Sequence, residues 1–343
     1  MEELKLDYSE LQETVERLLP DVVPGSIEAF FEQLVSGNGM KEVLPELGRW
    51  LLSNVTFPVE QGVKLFFLVL FSAFFSNFSK AFGKNGASQM GFLCVYLLIA
   101  LYITSGFRNS LGIAKEGLEN ICQFTSVLLP TYCISIAFVT GSLTAAGYYQ
   151  GTAFLIMVLE YLTAFVLLPL SQVYLLLSFA SCMQREPIFT KLLNLIVGVF
   201  SWIQKSILGV ALAFSAVQGI LMPAVDQVKK NAVVKSASAI PGVGNLVSGA
   251  WETVMGAGVV LKNALGIGGV CLLFLIGLLP LCELGLQYLM YRVVGAVTEP
   301  VLQEQAEQFL YHAGTAQKLL FQTLFMGMML FLLLLVVMTR ITV

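Results

Sequence analysis

Histidine is all but missing from this sequence: His312 is the only one in 343 residues. That excludes a metal centre built on two or more histidines. Charge is scarce as well. Only 12 % of the residues are charged and 57 % are hydrophobic, where soluble domains carry about 25 % charge. The basic residues form no stripe, so no nucleic-acid partner is expected. No Cys-x-x-Cys pair occurs among Cys94, Cys122, Cys133, Cys182, Cys271 and Cys282. All six lie in or beside apolar runs, which predicts buried free thiols. Gly242 and Gly244 allow an anion-binding backbone turn, but no GxxxxGK[ST] follows, so a nucleotide site is not indicated. Without a Ser/His/Asp set or a metal constellation, the chain reads as a non-enzyme that needs no cofactor.

What it does have is long apolar runs. They predict an all-α, polytopic integral membrane protein with about seven transmembrane helices, an interfacial helix, and a re-entrant or amphipathic helical hairpin. The runs fall near 63–82, 90–107, 124–147, 152–180, 206–222, 270–297 and 319–338. Pro169 and Pro280 are expected kinks in the fourth and sixth. Residues 108–119 read as a loop, 148–151 as a tight turn and 299–307 as an acidic loop.

The first 62 residues hold 12 acidic and four basic side chains, while the whole chain has a net charge of −3. Residues 1–56 therefore form an acidic helical region, expected outside the cytoplasm, ahead of a membrane domain at 57–343. Positive-inside reasoning then puts the N-terminus outside and the C-terminus inside, with Lys80, Lys84, Lys229, Lys230, Lys235 and Arg340 inside. Arg185, Lys191 and Lys205 fall outside in this scheme and count against it. No signal peptide is visible at Met1.

Lys191, Asn194, Gly198, Ser201 and Lys205 recur every three or four residues, a narrow polar stripe that predicts an interfacial helix at 188–205. The stretch 226–269 departs most from the surrounding Leu, Val and Phe. It opens with lysines, breaks at Pro241 and Gly242, and then spaces Asn245, Ser248, Glu252 and Asn263 along one helical face. It reads as a hairpin of two short helices bent at 241–244, either amphipathic at the surface or packed against protein at membrane depth. Pro241, Gly242, Gly244, Asn245, Ser248, Glu252 and Asn263 are its candidate pore or interface residues. Lys262 is expected to snorkel. Glu160 and Glu283 lie within apolar runs and are candidate intramembrane polar residues. Neither has a second carboxylate three or four positions away, so no paired acid–base site is expected.

The segments Ser215-Ala-Val-Gln-Gly219, Asp226, Lys235-Ser-Ala-Ser-Ala-Ile-Pro-Gly-Val-Gly-Asn245 and Val260-Leu-Lys-Asn-Ala-Leu-Gly266 resemble the stage III sporulation protein AE family. So do Ala114-Lys-Glu-Gly-Leu118, Leu129-Pro130 and Gly147. The resemblance implies a multi-pass protein of the mother-cell membrane around the forespore of endospore-forming bacteria. It implies membership of the stage III sporulation channel complex, a feeding tube on which late forespore gene expression depends. The implied partners are the other subunits of that complex, the lipid bilayer and, as a homo-oligomer, further copies of the chain. Family members begin with a cleavable export signal, so this chain reads as a trimmed form. From the residues alone, a stand-alone permease for a small solute stays open as the alternative.

Overall fold

The structure, a computed structural model, describes residues 9–19, 45, 48–49, 58–75, 87–139, 142–184, 188–238 and 244–340. The described residues form helices, with no strand among them. In chain order they are α1 (Ser9–Leu18), α2 (Pro58–Phe75), α3 (Ala87–Val139), α4 (Ser142–Cys182), α5 (Thr190–Ser238), α6 (Gly244–Thr298) and α7 (Glu304–Arg340). Among the described residues, six helices are long and apolar enough to cross a membrane.

The seven expected runs lie on these six helices because of how the runs join. The 90–107 run, the charged stretch and most of the 124–147 run are one 53-residue helix, α3. Residues 108–119 are not a loop because they are amphipathic. Leu111, Ala114, Leu118 and Ile121 are buried on one side, while Arg108, Lys115, Glu116 and Glu119 are exposed on the other. That spacing is helical, and the charges merely lower the local hydropathy. Residues 148–151 are helical too, inside α4. The 188–205 segment is continuous with the 206–222 run in α5. The arms of the expected hairpin are the ends of α5 and α6, 49 and 55 residues long, rather than two short helices. Pro241 and Gly242, where the bend was expected, lie outside the described residues.

The core is a three-helix seam in which α6 runs antiparallel to α3 and α7, with α4 and α5 packed outside it. Glycines mark the closest approaches. A methyl group on Gly117 would come within 3.1 Å of Pro280, and one on Gly258 within 3.0 Å of Phe138. Small residues at such crossings let helices associate by dispersion where lipid supplies no hydrophobic drive. Gly266 is tightly constrained by polar groups. A methyl there would lie 2.6 Å from Thr339 Oγ1 and 3.2 Å from Tyr132 Oη. Those two hydroxyls are hydrogen-bonded to each other at 3.0 Å, and Thr339 Oγ1 also donates to the Leu335 carbonyl at 2.7 Å. Neither can retreat freely. Gly266→Val is therefore expected to cost about 2–4 kcal/mol, overpacking plus a lost hydrogen bond. Thermal unfolding of the purified variant reads this, and an unchanged melting temperature would show the seam to be loose.

The helices are longer than one bilayer is thick. At 1.5 Å per residue, the 53 residues of α3 extend about 80 Å, against about 30 Å of hydrocarbon. The exposed charges of α3 stand at its middle and divide the bundle into two tiers. The first tier holds α2, the start of α3, the ends of α4 and α6 and the start of α7. Tyr96 ties it together: its ring packs at 5.5 Å from Phe179 and 5.8 Å from Phe309, and its hydroxyl donates to the Phe179 carbonyl at 2.9 Å. The second tier holds the end of α3, the start of α4, the middle of α5 and α6 and the end of α7. Both tiers expose apolar side chains. Phe67, Phe71 and Phe74 of the first are 60–69 % exposed, and Phe154, Met157, Val210, Val260 and Ile267 of the second 50–62 %.

Candidate functional site

Between the tiers lies a belt of polar groups contributed by four helices. Its interior is a hydrogen-bonded chain. Gln287 Oε1 of α6 accepts from Ser110 Oγ of α3 and from Gln317 Nε2 of α7, the latter at 2.8 Å, and all three residues are buried. Below it, Tyr174 of α4 bonds His312 of α7 at 2.8 Å, and the Arg292 guanidinium sits 4.3 Å from the Tyr311 ring centre. His312, expected in a loop, is thus a half-buried helical residue with a partner on another helix.

The belt opens on one side into a cleft of about 540 Å³ between α3 and α4. Leu118 of α3 and Leu159 of α4 meet at Gly327 of α7, so the residues after them, Glu119 and Glu160, stand at the same height. Both line the cleft, with Lys115, Gln123 and Thr163. Both carboxylates also reach the Cys122 thiol electrostatically. Lys115 Nζ forms a loose ion pair with Glu119 at 3.6 Å, both side chains being about 60 % exposed. Glu160 has no ion-pair partner among the described residues.

The cleft wall is shaped by a π-helical turn at Thr163–Leu167, where the Leu168 N–H donates to the Thr163 carbonyl five residues back. Pro169 explains it. The ring has no N–H and would collide with the carbonyl four residues earlier, in a normal helix that of Phe165. Widening one turn relieves the clash, so the expected kink at Pro169 is a π-turn just ahead of it. The Thr163 hydroxyl at the start of this turn is buried and, like that of Thr152 earlier in α4, has no hydrogen-bond partner among the described residues. Thr125, Thr298, Thr315, Thr323 and Thr339 all donate to the carbonyl four residues back.

Among the other expected site residues, Glu283 is half-buried in the belt, with Glu116 of α3 close enough for their charges to interact. The structure thus brings Glu160 and Glu283 each near a second carboxylate, across helices where local spacing offered none. Gly244, Asn245, Ser248 and Glu252 are helical at the start of α6, and the side chains of the last three lie outside the described set. Asn263 is half-buried in the second tier. Its neighbour Lys262, expected to snorkel, is instead fully buried, and its amine has no hydrogen-bond partner among the described residues. Asp226 is buried on α5, where Oδ2 accepts from the backbone N–H of Thr144 at 2.7 Å and from its hydroxyl at 2.6 Å. It caps the start of α4 from a different helix, where free N–H groups and the helix dipole favour a carboxylate.

Residue spacing pointed to neither Lys115 with Glu119, placed in a loop, nor Thr163, within an apolar run. Pro169, six positions on, was the signal for the π-turn that Thr163 opens. Among the described residues, no group of three His, Cys, Asp or Glu side chains is placed to hold a metal ion.

Comparison with known proteins bears on α2 to α7. Residues 26–342 match the family model described as Stage III sporulation protein AE. The curated stage III sporulation protein AE of Bacillus subtilis (strain 168) is 24 % identical over 292 residues, covering 83 % of this chain and 71 % of that protein. No solved structure matches.

Proposed function

Because the chain belongs to the stage III sporulation protein AE family, and so has a role in sporulation, we propose that it is a non-enzymatic membrane subunit of the channel complex between mother cell and forespore. In this reading it sits in the mother-cell membrane around the forespore, supports late forespore gene expression and assembles with the other channel subunits and with copies of itself. The observation that carries the reading is the length of the helices beyond one bilayer. A hydrocarbon layer of about 30 Å accommodates one tier. Centring it on the belt would put Arg108, Glu116 and Glu160 in lipid, where each charge costs several kcal/mol.

The second tier is the better fit to the bilayer, since α3 to α7 all run through it. Five crossings put the acidic N-terminal region, the belt, the first tier and Glu299, Glu304 and Glu307 outside. Lys229, Lys230, Lys235 and Arg340 then lie inside, in keeping with the positive-inside rule. Lys80 and Lys84, expected inside, lie outside the described residues. The first tier projects about 30 Å into the space between the membranes, and its exposed Phe67, Phe71 and Phe74 need covering by neighbouring subunits.

The test uses single cysteines in a cysteine-free background. Ser9→Cys and Asn109→Cys are expected to label from outside, and Ser236→Cys from inside. Labelling of Asn109→Cys together with Ser236→Cys would reverse the tier assignment. The alternative, a stand-alone permease, draws on the cleft. A closed ring of subunits in detergent-purified protein supports the channel reading, and a monomer supports the permease.

A further inference from the structure

We propose that the cleft beside the π-turn binds a primary ammonium group, carried either by a small solute or by an ethanolamine lipid headgroup. The inference rests on the cleft itself and stands whichever tier lies in the bilayer. Three observations converge. The first is charge. Two carboxylates, Glu119 and Glu160, line the cleft with one lysine, and Glu160 has no ion-pair partner among the described residues. The Lys115–Glu119 pair is long and exposed, and such pairs are worth little, so Glu119 gives up little by turning to a second cation.

The second is the Thr163 hydroxyl. It is buried at the cleft wall, 3 % exposed, and has no hydrogen-bond partner among the described residues. A buried hydroxyl without a partner is costly. It accepts a hydrogen bond from any N–H donor that enters. A primary ammonium has three donors, matching Glu160, Glu119 and Thr163 in number. The third is size. A volume of about 540 Å³ far exceeds a bare metal ion and lies in the range of pockets for small organic ligands. Gln123 and Ser126 add neutral polar groups on the α3 side, and Ile156, Ala164 and Leu168 give an apolar wall for a carbon chain.

The experiment measures thermal unfolding of the full chain in nanodiscs. One set contains only phosphatidylcholine, titrated with 1,5-diaminopentane or with sodium chloride at matched ionic strength. A second set contains phosphatidylethanolamine and no added amine. A saturable rise in melting temperature with the diamine but not with the salt identifies a free amine as ligand. A rise with phosphatidylethanolamine alone identifies the headgroup. In either case Glu160→Gln, an exposed and nearly isosteric change that leaves packing intact, is expected to weaken binding about tenfold or more, as loss of a charge-assisted hydrogen bond does. Thr163→Val is expected to weaken it several-fold. Glu60→Gln, which alters a carboxylate paired with Lys64 on α2, is expected to leave it unchanged. The proposal is overturned if neither amine source moves the melting temperature beyond the salt control, or if Glu160→Gln responds like the parent.

Discussion

Asp226→Ala is expected to destabilise the protein by about 3 kcal/mol, because it strands two donors bonded to a buried carboxylate. The Thr144 N–H belongs to the first turn of α4, which has no intrahelical acceptor for it. With the carboxylate gone, that N–H and the Thr144 hydroxyl stay buried, since Thr144 is fully enclosed. The helix start also loses the negative charge that its dipole favours. Asp226→Asn keeps an acceptor oxygen and is expected to retain about half of the stability, as neutral hydrogen bonds are roughly half as strong as charge-assisted ones. Unfolding of the three proteins in detergent gives the order parent, Asn, Ala. A parent-like melting temperature for Asp226→Ala would mean that α5 does not cap α4.

Lys262→Met is expected to act in the opposite sense and raise stability by about 2–3 kcal/mol, the scale of inserting one lysine at the centre of a membrane helix. The Lys262 side chain is fully buried, and its amine has no partner among the described residues. Methionine has nearly the same length and an unbranched, adaptable shape, so it fills the space without the desolvation cost. One turn away, Gly266 brings α6 against Tyr132 and Thr339, so Lys262 starts from a close-packed part of the seam. A rise in melting temperature supports the burial described for Lys262. A fall would mean that the amine has an acceptor, and that acceptor would then be the group to find.

These two residues show where the sequence stops informing. Asp226 stood out only within a family motif, and its task depends on α5 and α4 being antiparallel neighbours, a relation of residues 82 positions apart. Lys262 looked free to snorkel because an amphipathic face is legible along one helix, whereas the helices covering that face are not. The same holds for Glu160. Local spacing correctly found no carboxylate within a turn of it, and Glu119 arrives from α3 only because Leu118 and Leu159 share the contact at Gly327.

By itself the sequence determined that this chain is an all-helical bundle with multiple membrane-length apolar helices, because hydropathy is local and backbone groups in lipid must be satisfied within each segment. It determined the family through motifs that are strings of neighbours. The tertiary structure decided where the helices begin and end. Charged residues at 108–119 interrupt hydropathy but not hydrogen bonding, so a buried Leu111, Ala114, Leu118 and Ile121 face carries α3 through them. It also decided which polar groups meet, since the belt of Ser110, Gln287 and Gln317 and the cleft of Glu119, Glu160 and Thr163 are assembled across helices whose register is set by glycine contacts far apart in the chain.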